Sequence, residues 1–221
     1  MKIETFHSSL SLALKAILLI QAAVAAWEKQ WLTVAIIIVI IAITLVPLIM
    51  AKSFHVYIPP EFELFAIAFV FASLFLGEVR GYYTRFWWWD IVLHTSSGLL
   101  LGIIGFLLVY VLNETQRIGL HMKIGFVAFF AFLFAIGIGA LWEIVEYILD
   151  SIFAMNMQKE MLGDPSGLTD TMWDLIVDTL GAFLISVLGY GYLKSGKNES
   201  FFEHLINAFI KINPRLFKRH R

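Results

Sequence analysis

Cysteine is absent from the 221-residue chain, and charged side chains are scarce, at 15% of residues. The lack of thiols excludes disulfides and thiolate metal sites. The scarcity of charge, with a hydrophobic fraction of 60% and a mean hydropathy of +0.81, excludes an ordinary soluble domain, whose composition is far more polar. The sequence therefore predicts a protein whose solvent is lipid.

Apolar runs long enough to cross a bilayer recur along the chain, and backbone groups in lipid must find hydrogen-bond partners within their own segment. We therefore predict an all-α fold, a polytopic transmembrane bundle of six helices followed by a C-terminal amphipathic interfacial helix. The predicted spans are residues 9–27, 32–50, 61–78, 88–112, 123–150 and 171–194. They form a transmembrane domain over residues 1–198, with its site between residues 75 and 185, and a cytoplasmic tail over residues 199–221.

The distribution of lysine and arginine predicts which side of the membrane each loop occupies. If the N-terminus is cytoplasmic, that side holds twelve of these residues and the outer side holds four: Lys29, Arg80, Arg85 and Lys159. Because positive charge concentrates on the cytoplasmic side, we predict a multi-pass protein of the cell membrane with both termini inside. All seven tryptophans then lie toward the outer headgroups, where indole rings are favoured.

The start of the chain loosely resembles a secretory signal, with a basic residue before an apolar core and a small-residue stretch after it. Lys15 interrupts that core, however. We therefore interpret the segment as the first transmembrane helix.

Polar side chains recur at helical spacing on three of the predicted spans. Asp90 and His94 lie one turn apart at the start of the fourth span, and the fifth span ends with Glu143 and Glu146. The sixth span begins with an aspartate at every fourth position: Asp170, Asp174 and Asp178. Each stripe continues into glycine or alanine, and small residues let membrane helices approach closely. Because helix direction alternates, these ends share one side of the membrane, and we predict a single carboxylate-rich vestibule.

Ionisable groups inside a membrane helix are expensive, and they are functional candidates by default. Carboxylates a few ångströms apart cannot all stay ionised without compensation, and three remedies are open: a bound divalent cation, arginines of the adjoining loop, or protonation of some carboxylates. Oxygen-rich ligation with one imidazole suits magnesium, manganese, calcium, iron or zinc.

We predict a divalent metal ion as the cofactor of this vestibule. The predicted metal ligands are His94, Glu146, Asp174 and Asp178. The predicted catalytic residues are Glu143 and Asp90. The predicted substrate-binding residues, at the end of the third span and in the loop after it, are Glu78, Arg80 and Arg85.

Three polar features have plainer interpretations. Asp170 is better interpreted as a cap of the sixth helix, because aspartate is common at helix starts. The outer loop at residues 155–170 fits a cover over the vestibule and a plain connector about equally well. The tail opens with Ser200 and Glu203 in a capping-box pattern and continues with an apolar face, so we predict that it lies along the cytoplasmic leaflet.

The strings DIVLHTSSGLLLG, ALWEIVEYILD and TMWDLIVDTLGA resemble the YjdF-type family of uncharacterised prokaryotic membrane proteins. Their order is more distantly similar to the VanZ-like family linked to teicoplanin resistance. That family has an Asp-Lys-x2-His start, an acidic helix, and an Asp-rich helix that ends in Asn-x2-Gly. Here Ile91 takes the place of the lysine and Asp178 that of the asparagine. The resemblance covers residues 75–185; it supports the helical fold and the choice of site residues, and it implies no reaction.

Two classes of function fit these features. The first is a metal-dependent hydrolase or transferase acting on a lipid or lipid-linked headgroup, in which the metal polarises a phosphoryl or acyl oxygen and a carboxylate serves as base. The second is a transporter or binding protein for a divalent cation or protons, since intramembrane carboxylates commonly mark such paths. The inner parts of the last three spans, LLLGIIGFLLVYVL, GFVAFFAFLFAIGIGA and AFLISVLG, contain no charged or amide residue, which favours the first class. We expect membrane lipids and a lipid-linked substrate as partners, and no nucleic acid.

Overall fold

A computed structural model describes residues 2–114, 122–195 and 201–217 of the chain. Within these ranges the backbone is helical apart from the connections, of which residues 154–167 are the longest, and it forms no strand beyond an isolated bridge between Met161 and Asp164. The predicted all-α fold is confirmed.

Five of the described helical stretches are long and apolar enough to cross a membrane: Thr33–Ser53, Pro60–Val79, Trp89–Tyr110, Ile124–Phe153 and Leu168–Ser195. They correspond to the second through sixth predicted spans. The first predicted span falls on a helix, Lys2–Trp27, whose apolar part, Leu12–Trp27, belongs to a shorter class. The structure therefore supports five candidate crossings, and the sixth stays a prediction.

The chain divides into two compact units, residues 1–89 with 207–215, and residues 90–206 with 216–221. The first unit begins with α1 (Lys2–Trp27), α2 (Trp31–Thr44), α3 (Val46–Ile49), a π-helical turn (Met50–Phe54), α4 (Pro60–Val70), a π-helical extension of α4 (Phe71–Val79) and α5 (Tyr82–Arg85). Its core joins Leu18 of α1, Ile37 and Ile40 of α2, and Phe75 of the π-helical extension. Pro47 lies in the first turn of α3, where its missing N–H is least costly, and this accounts for the break after α2.

The C-terminal segment contains α9 (Phe201–Ile212) and α10 (Pro214–Phe217). The buried side-chain amide of Asn213, between these helices, holds the backbone of Tyr57: its Oδ1 accepts the Tyr57 N–H and its Nδ2 donates to the Tyr57 carbonyl, both at 2.7 Å. A side-chain amide that pairs with both backbone groups of one residue fixes the tail to the loop after the π-helical turn.

The apolar face of α9 is buried in the protein, with Leu205, Ile206 and Phe209 all at most 8% exposed. These side chains therefore do not contact lipid. That the rest of the tail lies along the cytoplasmic leaflet stays a prediction. Ser200 and the basic residues 218–221 lie outside the described residues, and so does the side chain of Glu203.

The second unit contains three long helices, α6 (Trp89–Glu114, from Asp90 onward), α7 (Ile124–Phe153) and α8 (Leu168–Ser195). Glycines set the distances between them. A Cβ on Gly98 of α6 would overlap the backbone carbonyl oxygen of Asp178 on α8, and a Cβ on Gly181 would lie 2.5 Å from the carbonyl oxygen of Thr95. Two turns further along α6, a Cβ on Gly105 would lie 3.1 Å from the Cα of Ala131 on α7. The predicted packing of these three spans through small residues is confirmed.

Candidate functional site

The imidazole of His94 lies among carboxylates from all three long helices. Its Nε2 is 3.5 Å from Asp90 Oδ1 on the same helix and 3.7 Å from Asp174 Oδ2 on α8. Its Nδ1 is 3.4 Å from Asp178 Oδ2 on α8 and 4.0 Å from Glu143 Oε1 on α7. The predicted convergence of His94, Glu143 and Asp178 is thus present in the structure, at the end of the unit where α6 and α8 begin and α7 ends.

This cluster is withdrawn from the protein surface. Six residues in and around it are at most 8% exposed: His94, Glu143, Glu146, Asp170, Asp174 and Asp178. Buried carboxylates that keep their charge need a cation or several hydrogen bonds nearby, because removing an ion from water costs far more than one contact returns. Each buried carboxylate oxygen of the cluster therefore needs a hydrogen-bond donor or a cation beside it.

Asp178 is the carboxylate with the most complete set of contacts. The hydroxyl of Ser97, one turn along α6 from His94, donates to its Oδ1. Its Oδ2 faces the imidazole Nδ1 and also lies against Gly139 of α7, where a Cβ would stand 2.7 Å away. A larger residue at position 139 would occupy the space that this oxygen fills. Glycine at this position of α7 therefore makes room for the Asp178 carboxylate.

Other buried oxygens have no hydrogen-bond partner among the described residues. Both carboxylate oxygens of Glu143 are in this state, as are Oδ1 of Asp174 and Oδ1 of Asp170. By contrast, Glu146 Oε1 accepts a hydrogen bond of 2.8 Å from the indole Nε1 of Trp142. Buried polar atoms in native proteins are nearly always paired, so the unpaired oxygens of Glu143 and Asp174 are suited to bind a cation, a proton or a polar substrate.

Three residues offer atoms close enough to share one metal ion. Asp90, His94 and Asp174 each offer one donor atom, and these three atoms lie within 4.8 Å of one another. Donor atoms sit about 2.0–2.2 Å from a first-row divalent cation, so small rotations of these side chains bring all three into bonding distance. Two predicted ligands, His94 and Asp174, belong to this group, and Asp90, predicted as catalytic, joins them. Glu146 and Asp178, also predicted as ligands, have the other contacts given above.

The predicted substrate-binding residues belong to the first unit. Glu78 lies in the π-helical extension Phe71–Val79, and Arg80 and Arg85 are exposed. Their role in holding a substrate stays a prediction.

The loop between α7 and α8 is tied to both helices by carboxylates. Asp150, in the last turn of α7, accepts the backbone N–H groups of Met157 at 2.6 Å and Gln158 at 2.8 Å. Asp170 of α8 accepts the N–H of Lys159 at 2.7 Å. The interpretation of Asp170 as a cap of its own helix is therefore wrong: its carboxylate is directed to the loop. Sequence reasoning missed Asp150 because an aspartate at a helix end carries no signal for a partner seven residues later.

Asp164, and not Asp170, caps the start of α8. Its Oδ1 accepts the N–H and hydroxyl of Ser166 at 2.9 and 2.6 Å, and its Oδ2 accepts the N–H and hydroxyl of Thr169 at 3.0 and 2.8 Å. These four hydrogen bonds hold the pKa of Asp164 well below its usual value, because they favour the charged carboxylate. The two bonds from Ser166 have the larger effect, and the two from Thr169 add to it. The Asp-Pro-Ser-Gly turn at residues 164–167 was the available signal for this cap.

We expect the start of α8 to be insensitive to pH until strong acid. Because the pKa of Asp164 is lowered in the folded state, its contribution to stability is complete above the unfolded value of about 4 and is lost as the pH falls through the lower folded value. Amide hydrogen exchange at Ser166 and Thr169, corrected for the intrinsic rate at each pH, measures this.

Asp164→Asn should raise the exchange rates of both amides at every pH, whereas Glu160→Gln, an exposed carboxylate of the same loop, should leave them unchanged. Equal exchange in wild type and Asp164→Asn would show that this cap does not hold the loop.

Comparison with known proteins agrees with the membrane character of the chain. Residues 8–195 match the model of a family described as predicted membrane protein, DUF2238. An uncharacterized protein of Thermotoga maritima is 30% identical over 145 residues, which are 65% of this chain and 69% of that protein. No solved structure matches. The family match and the apolar helices together show an integral, multi-pass membrane protein, and they are consistent with the resemblance of its motifs to the YjdF-type family.

Proposed function

The chain belongs to this family of membrane proteins, and we propose that it is a metal-dependent hydrolase or transferase acting on a lipid or lipid-linked headgroup. One observation carries the proposal: a buried imidazole contacts carboxylates of three helices, and beside it Glu143 has two buried oxygens without a hydrogen-bond partner. A purely structural role accounts poorly for this arrangement, because each unpaired buried carboxylate destabilises the bundle.

The residues divide into two chemical roles. Asp90, His94 and Asp174 would hold a divalent cation, which polarises a phosphoryl or acyl oxygen or activates water when bound. Glu143 would accept the proton of the attacking water or hydroxyl group, since its carboxylate is buried and one of its oxygens lies 4.0 Å from the imidazole. The proton then passes to the oxygen of the leaving group, so that the carboxylate is regenerated.

The position of aromatic side chains supports a substrate at the membrane surface. Trp142 on α7 and Trp173 on α8 neighbour site residues in sequence and are 41% and 42% exposed. Indole rings favour the level of the lipid headgroups, so the site would lie at headgroup depth. The distribution of lysine and arginine favours the outer side.

The alternative, transport of a divalent cation or protons, needs polar groups deeper along the helices. Beyond Asp178, the described part of α8 buries the small polar side chain of Ser186, and α6 buries Ile103, Phe106 and Val109. A pathway through the membrane would pass carboxylates, amides or exposed carbonyls at this depth. The apolar packing there favours a site that opens on one side.

The test uses the full-length protein in nanodiscs made from phosphatidylglycerol and phosphatidylethanolamine, with zinc, manganese or magnesium added. We expect headgroup products or transferred headgroups, detected by mass spectrometry, that disappear with a chelator and in Glu143→Gln. Glu61→Gln, which changes an exposed carboxylate at the start of α4, is the matched control and should keep the activity. Failure of the wild type to bind any of the three ions, with no chelator-sensitive product, would refute the proposal.

A further inference from the structure

The two ring nitrogens of His94 face different pairs of carboxylates. Nε2 is the nitrogen nearest to Asp90 and Asp174, the two residues that complete the group able to share a metal ion. Nδ1 is turned the other way, toward Asp178 and Glu143. The imidazole thus separates two parts of a cluster that the sequence predicts as a single vestibule.

A neutral imidazole can offer a lone pair to a metal through one nitrogen alone, because the other nitrogen carries a proton. In protein metal sites that second N–H is nearly always donated to a carboxylate, a carbonyl or water, which fixes the ring and makes the ligating nitrogen more basic. With the metal group at Nε2, the proton belongs on Nδ1, and the nearest acceptor is Asp178 Oδ2 at 3.4 Å.

The surroundings of Asp178 fit an oxygen that receives this proton. Ser97 donates to its Oδ1, the absence of a side chain at Gly139 leaves space for its Oδ2, and the backbone of Asp178 itself packs against Gly98. The carboxylate is therefore held by Ser97 and packed against Gly139 before any ion is bound. By contrast, Asp174, on the Nε2 side, keeps an unpaired buried oxygen available for coordination.

We propose that Asp178 is a positioning residue that accepts the Nδ1 proton of His94 and so directs Nε2 to a metal ion held by Asp90, His94 and Asp174. This inference rests on the proposed function, because it assumes that the cluster binds a divalent cation. It changes the roles predicted from the sequence: Asp178 acts through His94 and does not contact the ion, and Asp90 becomes a ligand.

The first experiment measures zinc affinity by calorimetric titration of the purified full-length protein. Asp174→Asn removes a ligand and should abolish binding. Asp178→Ala should weaken binding by about 10–100-fold. Asp178→Asn should weaken it less than Asp178→Ala, because the amide oxygen can still accept the Nδ1 proton. Glu61→Gln is the control and should bind zinc like the wild type.

The second experiment identifies the ligating nitrogen directly, by nitrogen NMR of protein labelled with ¹⁵N-histidine and loaded with zinc. The chain has six histidines, and His94→Gln assigns the signal by removing it. We expect a zinc shift on Nε2 and a protonated Nδ1 whose proton exchanges slowly in wild type and fast in Asp178→Ala. A structural role of Asp178 in folding alone would not move these signals.

The outcomes separate the two proposals. If wild type binds no zinc, manganese or magnesium, the proposed function fails and the role of Asp178 fails with it. If zinc binds through Nδ1, or if Asp178→Asn loses zinc as completely as Asp174→Asn, Asp178 is itself a ligand; this inference is then wrong and the proposed metal site stands.

Discussion

Chelation of divalent cations is expected to lower the melting temperature of the wild-type protein and to leave that of Asp174→Asn unchanged. An ion that binds the folded state alone stabilises it by about 4 kcal/mol when its free concentration is a thousand times the Kd. For a chain of 221 residues this corresponds to a shift on the order of 10 °C. Asp174→Asn keeps the shape of the side chain but removes a charged ligand of the candidate group, so there is no bound ion for the chelator to remove. Melting curves in detergent, with and without chelator, measure both effects.

The same measurement on Asp178→Asn distinguishes a metal site from a network without metal. If the carboxylates are compensated by the imidazole and by shared protons, the chelator does nothing to the wild type, and Asp178→Asn raises the melting temperature by relieving repulsion within the cluster. If a metal is bound, Asp178→Asn melts lower than wild type and responds less to the chelator. A chelator-insensitive wild type with a more stable Asp178→Asn variant would remove the metal site, and with it the main support for an enzyme.

Gly98→Ala is expected to destabilise the protein and to weaken metal binding together. The added Cβ would overlap the carbonyl oxygen of Asp178, and its neighbours are backbone atoms, which cannot rotate away as a flexible side chain can. Helices α6 and α8 must then separate, at a cost of about 1–3 kcal/mol for an overpacked contact. Because the backbone that moves is that of Asp178, its distance to the imidazole changes as well. Thermal melting and zinc titration report the two effects.

Gly137→Ala is the matched control for this substitution. Gly137 lies within α7, and a Cβ there would meet nothing within 4 Å. The control should keep the wild-type zinc affinity and melt at the wild-type temperature or above it, since alanine favours a helix more than glycine does. A Gly98→Ala variant that behaves like Gly137→Ala would show that α6 and α8 do not meet at Gly98 and Asp178.

Part of the site could be predicted from local sequence because helix geometry is periodic. Asp90 and His94, or Asp174 and Asp178, share a face wherever their helix lies, since residues four apart are neighbours on the helix surface. The small residues that continue each stripe predicted which face meets another helix, and Gly98 and Gly102 of α6 and Ala182 of α8 are found at that contact. Alternating helix direction then predicted that the ends of α6, α7 and α8 come together.

By itself, therefore, the sequence determined the all-α membrane fold, five of the six predicted apolar spans, and the convergence of Asp90, Glu143, Asp174 and Asp178 on His94. The tertiary structure alone decided which ring nitrogen faces which carboxylate, that Asp170 is directed to the loop while Asp164 caps α8, and that the apolar face of α9 is buried in the protein. The physical reason is that periodicity determines the face of a helix but not the rotation and depth at which that face meets its neighbour. Those depend on contacts between residues distant in sequence, such as the carbonyl of Asp178 against Gly98, and an ångström of difference there changes which two atoms share a proton or a metal ion.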